Sequence, residues 1–328
     1  MPPSLRSVWQ ILLSCLAILA ATFPVSIAKA VGPFPVTVQH ALGSTVIKQA
    51  PGRIVSLGWS GEDSVIALGK TPVGIPRYRF FADGMFPWNA EHLRQATPAL
   101  LDSEIDYEQI AALQPDLILG IYSGIDLLAY KRLSLIAPTV VYRSGPWEAS
   151  WKEQTEIIGE ALGMADDAQK LIVKTETTLS ALGTDHPVLK GKTFTFGTFF
   201  PGGAGVVVYL SNDPRVSTLM ELGLKPAPGI VALSQANPET SSTLVSLENL
   251  GSIDADVLIM WYGEGARAAA EAQPLFAALG AVKRGSYVAL DDPVAVWSTS
   301  ALSVLSIPYG FPKFVPRLAE AARKAKQQ

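Results

Sequence analysis

The sequence has little cysteine and little histidine. Its 328 residues include one Cys and three His. A single cysteine excludes a disulfide-stapled scaffold and a metal site built from cysteine ligands. The histidines, His40, His92 and His186, lie far apart in the sequence, so a His₃ metal site would need the fold to bring all three together. The sequence therefore predicts no metal site.

An excess of charge of one sign is also missing. The chain has 26 Lys and Arg against 29 Asp and Glu, and 17% of its residues are charged while 48% are hydrophobic. The balance excludes a basic nucleic-acid-binding protein, and the apolar content excludes a disordered chain. The length allows one large domain or two medium ones.

The sequence motifs of common enzyme classes are absent. No Walker A, G-x-G-x-x-G or H-E-x-x-H motif occurs. Ser60 follows a predicted strand, but Glu62 takes the place of the last glycine of the G-x-S-x-G nucleophile elbow. We therefore predict no catalytic residue and expect a protein that is not an enzyme.

Residues 1–30 have the layout of a secretory signal peptide. They contain no acidic residue, carry Arg6, run apolar over residues 8–23 and end in an A-x-A pattern at Ala30. We expect cleavage after Ala30 and export to the periplasm. An uncleaved anchor is the alternative, but the apolar run is short for a membrane span. A lipid-anchored form through Cys15 is not expected, because the apolar run continues past that residue.

The elements after the leader are predicted to follow in β-α-β order. Alternating residues at 36–40 and 44–47 predict a β-hairpin. An apolar strand at 53–57, a helix at 62–68 and a strand at 73–75 come next. This order implies a parallel sheet covered by helices.

A helical region separates the two halves of the chain. Residues 147–162 and 165–182 have helical periodicity, and Gly163 interrupts them. A helix of ~18 residues is ~27 Å long, enough to join two lobes as a stiff connector. The second half is predicted to contain strands at 193–196, 206–209 and 287–290, a helix after Pro214 and a final helix at 312–324.

Two segments repeat without a gap at a constant offset of 140 residues, 105–122 and 245–262. Each has the pattern of a helix, a turn and a buried strand that ends in tyrosine. The repeat favours two lobes of similar α/β architecture, with two unrelated helix–strand units as the alternative. The identical matches include Glu108 with Glu248, Asp116 with Asp256, and Tyr122 with Tyr262.

Aromatic and arginine residues recur directly after the predicted strands. In open α/β sheets, ligands bind beyond the carboxyl ends of the strands. An aromatic cleft with a few guanidinium groups suits a bulky, partly apolar, anionic ligand. Ordinary core packing stays open for each aromatic residue, and a solvated surface position for each arginine. The candidate ligand-binding residues are Trp59, Arg77, Tyr78, Arg79, Trp88, Tyr122, Arg143, Phe199, Phe200, Tyr262, Arg267 and Trp297.

Glu108 and Glu248 each begin a predicted helix. A carboxylate near a helix N-terminus is favourable in itself. Equally, one exposed carboxylate in each lobe could dock on basic residues of a partner with matching two-fold geometry. The residues alone leave both interpretations open.

The chain resembles the periplasmic substrate-binding proteins of iron–siderophore ABC importers, a group that includes the ferrichrome, ferric-enterobactin and cobalamin binders. The likeness runs in order over nearly the whole chain after the leader. The segments that carry it are 51–57, 67–69, 72–74, 108–119, 136–139, 145–147, 213–215, 274–276 and 282–285.

The resemblance implies an α/β fold of two lobes, each with a parallel-rich central sheet flanked by helices, joined by a single long rigid helix, as in class III substrate-binding proteins. The expected domains are a leader (1–30), an N-terminal lobe (31–146), a helical region (147–183) and a C-terminal lobe (184–328).

The resemblance also implies a function. The protein would capture a ferric siderophore in the cleft between the lobes and deliver it to an inner-membrane ABC permease with its ATPase. Glu108 and Glu248 match the family's permease-docking positions. Iron would be carried within the siderophore, so no cofactor is expected, and the protein would act as a monomer without nucleic acid.

Other ligands and roles stay open on the same fold. Haem or cobalamin could be the ligand, with Tyr122 or Tyr262 as an axial haem ligand. A periplasmic enzyme or the ligand-binding subunit of a sensor is a further alternative. The arginines favour an anionic siderophore, but the residues do not identify which one.

Overall fold

The described part of the chain begins with a β-hairpin. The computed structural model describes residues 33–93 and 96–325, so the predicted leader lies outside the described residues. Strand β1 (Val36–His40) pairs antiparallel with β2 (Gly43–Ile47), which confirms the predicted hairpin. From Pro35 onward the chain forms one compact unit.

A parallel sheet of five short strands follows, which we call the N-terminal sheet. Its strand order is β5-β4-β3-β6-β7, and every neighbouring pair is parallel. Strands β3, β6 and β7 are fully buried, as expected where helices cover both faces. The strands are β3 (Ile54–Ser56), β4 (Gly74–Pro76), β5 (Ala99–Leu101), β6 (Leu117–Gly120) and β7 (Thr139–Val141). The helices between them are α1 (Gly61–Ala67), α2 (Pro87–Leu93), α3 (Tyr107–Ala112) and α4 (Leu127–Ser134).

Two helices in succession connect the N-terminal sheet to the second half of the chain. They are α5 (Trp151–Ala161) and α6 (Ala165–Asp185), and they pack on each other. Gly163 lies between them with a φ of +65°, where the sequence predicted an interruption. Helix α5 contacts α1 and the hairpin, whereas α6 contacts the last helix of the chain. The second of the two, α6, is the single long helix that was predicted at 165–182.

The second half is built on a mixed sheet, which we call the C-terminal sheet. Its order is β11-β9-β8-β12-β13, and β10 pairs with β8. Strands β10, β8, β12 and β13 are parallel, whereas β9 runs antiparallel to β8 and β11. The strands are β8 (Thr193–Phe199), β9 (Gly205–Tyr209), β10 (Lys225–Pro226), β11 (Ser242–Ser246), β12 (Val257–Trp261) and β13 (Tyr287–Leu290).

Helices flank the C-terminal sheet as they do the N-terminal one, which confirms the predicted α/β class. The last helix begins at Ser306 rather than near Pro312, because buried Ile307 and Phe311 anchor its first turns despite two prolines inside it, Pro312 and Pro316. The helices are α7 (Pro214–Met220), α8 (Pro228–Ala236), α9 (Ala266–Glu271), α10 (Pro274–Ala277), α11 (Gly280–Arg284), α12 (Pro293–Ser300) and α13 (Ser306–Lys324), with short 3₁₀ helices at Pro187–Leu189 and Leu247–Ile253. None of the helices in the described residues is both long enough and apolar enough to cross a membrane.

The two copies of the sequence repeat occupy equivalent places in the two sheets. The Asp116 carboxylate accepts the backbone N–H groups of Gly52 and Arg53, each at 2.8 Å, just before β3. The Asp256 carboxylate accepts the N–H of Thr193 at 2.9 Å, at the start of β8. Each aspartate thus precedes one strand and fixes the start of its parallel neighbour. The copies differ in that the first contains the α-helix α3 and the second a 3₁₀ helix.

The segment after α12 packs against an aromatic cluster of the first half. Ala301 lies in this cluster, and Tyr309 packs on Trp88 with ring centroids 5.5 Å apart. The Ser303 hydroxyl donates to the Asp63 carboxylate of α1, and the Gln154 side chain donates to the Leu302 carbonyl at 3.3 Å. Buried apolar and polar contacts together join the two halves.

Candidate ligand-binding site

A cavity of about 640 Å³ lies beyond the carboxyl ends of the N-terminal sheet. Residues that follow β3, β4, β5 and β6 line it, and Trp147 and Trp297 close it from the connector side and from α12. The position agrees with the rule that ligands bind beyond the carboxyl ends of strands in open α/β sheets. The volume lies within the range typical of small-molecule sites.

The turn after β3 places Trp59 at the cavity. Gly58 has a φ of +86°, and a Cβ at this position would clash with the carbonyl oxygen of Tyr122. The same oxygen accepts the N–H of Trp59 at 2.8 Å. Ser60 then adopts a φ of +53° before α1 begins. Only a glycine permits this close approach between the ends of β3 and β6.

Four aromatic side chains form one wall of the cavity. The Trp59 ring lies 4.8 Å from that of Trp297 and 5.1 Å from that of Trp147, measured between centroids. The Phe80 ring lies 5.5 Å from Trp297 and is 63% exposed. Trp147 is 38% exposed and has a φ of +60°, which is rare for a bulky residue. Exposed aromatic surface and backbone strain together are typical of a ligand site.

Tyr78 lines the cavity with its ring only. The ring stacks on Phe86 with centroids 3.6 Å apart. Its hydroxyl accepts the N–H of Ser60 at 3.1 Å and donates to the Glu62 carboxylate at 2.9 Å. Because both contacts are buried, the hydroxyl is not available to a ligand.

Two fully buried carboxylates lie beneath the cavity in α1. Glu62 also accepts the Asn89 amide at 3.2 Å, and Asp63 accepts the Trp88 indole N–H at 2.7 Å. Burial raises the pKa of Asp63 to about 7. Burial, and then the charge of Asp63, raise the pKa of Glu62 well above its ordinary value. The pair supports Tyr78 and the contact with Ser303 rather than contacting the cavity.

Only two of the four predicted arginines reach the cavity, and both are paired. The same Asp102 oxygen lies 3.3 Å from Arg77 Nε and 3.0 Å from Arg79 Nη2. Asp102 directly follows β5, which neighbours β4 in the sheet. The strand order therefore places an acid beside the two cations that were predicted to bind an anion.

The structure places Arg143 and Arg267 away from the cavity. Arg143 pairs with Glu160 of α5 and donates to the Gln39 carbonyl at 3.2 Å. Arg267 pairs within α9 with Glu271 and also bonds Asp291 at 2.8 Å. Both guanidinium groups join elements of the fold and do not line the cavity.

Three predicted aromatic residues also lie elsewhere. Trp88 is buried in the cluster with Phe86, and Phe199 is buried in the core beneath the C-terminal sheet. Phe200 is 52% exposed and packs edge-on against Trp261, outside the cavity. Phe199 ends β8 and Phe200 follows it, whereas Trp88 lies within α2. Their side chains turn to the core or to a different surface.

The two repeat tyrosines do not face the cavity. Tyr122 packs behind Trp59 and Trp147, and burial raises the pKa of its phenol to about 12. The Tyr262 hydroxyl bonds that of Tyr287 at 2.6 Å in the core of the second half. Burial favours the neutral phenol, whereas an axial haem ligand would be a phenolate.

Trp147, Phe80 and the acids around the cavity line the site but were not among the candidate ligand-binding residues. Trp147 could have been found, because it lies in the loop after β7, six residues beyond Val141, in the segment Gly145-Pro-Trp that carries part of the family resemblance. Within the described residues, no group of three or more His, Cys, Asp or Glu is arranged to hold a metal ion. Glu108 and Glu248 are exposed, in the first turns of α3 and of the second 3₁₀ helix.

Comparisons with known proteins identify relatives of similar size. The chain is 28% identical over 274 residues to the probable siderophore-binding lipoprotein YfiY of Bacillus subtilis strain 168, covering 80% of this chain and 82% of the relative. It is 29% identical over 259 residues to the Fe(3+)-citrate-binding protein YfmC of the same organism, covering 74% of each.

A similar solved structure is that of Streptococcus pneumoniae TIGR4 PiaA in complex with ferrichrome. It has a TM-score of 0.81 and 29% identity, covering 89% of this chain and all of that one. The family described as periplasmic binding protein matches residues 54–294, which include the N-terminal sheet, all of the cavity lining except Trp297, and most of the second half. The protein therefore belongs to the periplasmic binding protein family.

Proposed function

We propose that this protein binds a ferric siderophore and delivers it to an ABC permease for iron uptake. The observation that carries the proposal is the aromatic-walled cavity of about 640 Å³ at the carboxyl edge of the N-terminal sheet. Its flat, partly exposed rings suit the organic shell of an iron chelate. The names of YfiY and of the PiaA complex with ferrichrome support the same ligand class.

The protein would act by binding alone and would release the chelate unchanged. Iron is then part of the cargo, held by the siderophore's own oxygens, so the protein supplies shape and contacts instead of metal ligands. The buried contacts of Ser303 with Asp63 in the first half, and of Gln154 in the connecting helix α5 with Leu302, favour small movements on binding.

The site of action would be outside the cytoplasmic membrane. The family name supports this location. The relative YfiY is named a lipoprotein, so the expectation that a lipid-anchored form does not occur loses support. Glu108 and Glu248 are proposed as the carboxylates that dock on the permease, one on each half, with the binding protein acting as a monomer.

A panel titration tests the proposal. The purified protein is titrated by calorimetry with ferric siderophores, their iron-free forms, haem and cobalamin. We expect saturable binding of at least one ferric siderophore, and weaker binding of its iron-free form, because iron organises the chelate's shape. Binding of haem with a Soret band, or of cobalamin, and of no ferric chelate would overturn the proposal. Chemical conversion of the bound chelate would overturn the binding-only role.

A further inference from the structure

The two cations of the cavity share one of its acids. Arg77 and Arg79 converge on one carboxylate, Asp102, at 3.3 and 3.0 Å. The exposed setting makes each ion pair weak in energy. Together the two arginines and Asp102 carry a formal charge of +1, half the charge of two unpaired arginines. This arrangement differs from the expectation that these arginines would offset a ligand's negative charge.

Three more acids line the cavity. Asp106 caps α3 by accepting the Gln109 N–H at 2.9 Å, and Asp126 caps α4 by accepting the Ala129 N–H at 2.8 Å. Glu104 is exposed. In residues 33–93 and 96–325, none of the three has an ion-pair partner. The lining thus holds two arginines and four carboxylates, a formal balance of −2.

The remaining wall is aromatic and favours cations over anions. The faces of Trp59, Trp147, Trp297 and Phe80 carry the negative side of their quadrupoles. Aromatic surface also packs well on uncharged organic groups. Neither the rings nor the acids offer a favourable partner to a ligand with a large negative charge.

Ferric chelates differ in net charge by the chemistry of their donor groups. Three hydroxamates each bring one negative charge and give a neutral complex with Fe³⁺, which becomes positive where the siderophore carries a free amine. Three catecholates each bring two negative charges, so their complex with Fe³⁺ carries a net charge of three negative units. A negative wall repels that complex and tolerates the neutral one, so repulsion itself gives specificity.

We propose that the cavity selects ferric chelates of neutral or positive charge, of the trihydroxamate class, and excludes triply negative catecholates. The proposal rests on the function proposed above and narrows its ligand. It also replaces the sequence-based preference for an anionic siderophore, because Arg77, Arg79, Arg143 and Arg267 all have acidic partners.

The first test compares three ferric chelates by calorimetry: neutral ferrichrome, singly positive ferrioxamine B and a triply negative tris-catecholate. We expect the better trihydroxamate to bind at least about a hundredfold more tightly than the catecholate in low salt. Catecholate binding should strengthen as NaCl rises from about 0.02 M to about 0.5 M, because salt screens repulsion. A catecholate that binds as tightly as the trihydroxamates, or weakens with salt, overturns the inference. Absence of binding by every ferric chelate overturns the proposed function instead.

The second test neutralises the three unpaired acids in the variant Glu104→Gln, Asp106→Asn and Asp126→Asn. Asparagine caps helices as well as aspartate does, so α3 and α4 keep their caps. We expect the ratio of the catecholate Kd to the trihydroxamate Kd to fall by about tenfold or more. The control is Glu156→Gln, Glu239→Gln and Glu320→Gln, exposed acids that do not line the cavity. An unchanged ratio in the first variant, or an equal fall in the control, would overturn selection by the cavity.

Discussion

Trp147 and Phe200 are both exposed aromatic residues, but they have different surroundings. Trp147 contacts Trp59 and lines the cavity, whereas Phe200 contacts Trp261 and does not. Phe200 was a candidate from the sequence and Trp147 was not. The reason is physical: a residue after a strand can turn toward the cavity, the core or another surface, and tertiary packing decides which.

Replacing Trp147 with Ala is expected to raise the Kd for the ferric siderophore by about tenfold or more, because the substitution removes a large aromatic surface that would pack against the ligand. The fold should be little affected, since the residue is already 38% exposed. Calorimetric titration measures the effect. Phe200→Ala is the matched control and should leave the Kd unchanged. If Phe200→Ala weakened ligand binding more than Trp147→Ala, the ligand would bind outside the cavity.

The buried pair Glu62 and Asp63 predicts a pH-dependent stability. The pKa of Asp63 is about 7 in the folded protein, whereas an unfolded aspartate titrates near ~4. Between these values the folded state binds more protons, so the free energy of unfolding falls as pH rises through this window. The raised pKa of Glu62 acts in the same direction.

In Glu62→Gln with Asp63→Asn, the drop in unfolding free energy from pH 5 to pH 8 should shrink by ~1.4 kcal/mol or more. Urea denaturation at the two pH values measures it. The exposed pair Glu156→Gln and Glu239→Gln serves as control. Equal pH dependence in the buried variant and the wild type would show that these carboxyls do not titrate differently on folding.

At the scale of elements, the turn between β3 and α1 shows how far the sequence could predict the site. Apolar runs and a following helix gave the strand, the turn and the helix to within a few residues. The order β5-β4-β3-β6-β7 was not readable from the sequence, because parallel strands can be ordered in several ways. That order places Asp102 beside Arg77 and Arg79, and so decides the charge of the cavity.

Gly58→Ala is expected to destabilise the protein by ~2 kcal/mol and to weaken ligand binding, because a Cβ would push the turn that carries Trp59 away from Tyr122. Gly69→Ala is the matched control. Gly69 also has a positive φ, +77°, but a Cβ there meets open space. The Gly69→Ala variant should lose ~1 kcal/mol of unfolding free energy and keep the wild-type Kd. Urea denaturation measures the stability of both variants, and ligand titration measures their Kd. Equal effects of the two substitutions on the Kd would show that the turn at Gly58 does not position the ligand site.

At the scale of the whole molecule, the α/β class and the matched halves were predictable, since apolar periodicity and the repeat specify both. Asp116 and Asp256 show why the repeat exists: each fixes the start of a parallel neighbour. The individual side-chain contacts that hold the two halves together could not be predicted from the sequence. The contacts of Ser303 and Tyr309 with the first half depend on side chains more than 200 residues apart in the sequence.

The double variant Glu108→Ala with Glu248→Ala is expected to reduce siderophore-dependent iron uptake by about tenfold or more while the Kd stays unchanged, because both exposed carboxylates lie outside the cavity lining. Uptake of labelled iron by cells that carry the variant, with calorimetry on the purified protein, measures the two effects. Glu156→Ala with Glu239→Ala is the control and should support normal uptake. Wild-type uptake by the docking variant would refute this role.

A crystal structure of the protein with a bound ferric trihydroxamate, in which anomalous scattering locates the iron, would show directly whether the cavity is the ligand site. We expect one iron peak in the cavity beyond the N-terminal sheet, with the chelate in contact with Trp59, Trp147 and Trp297. An iron peak at the Arg267 and Tyr287 groove of the second half, or a chelate bound away from these tryptophans, would contradict it.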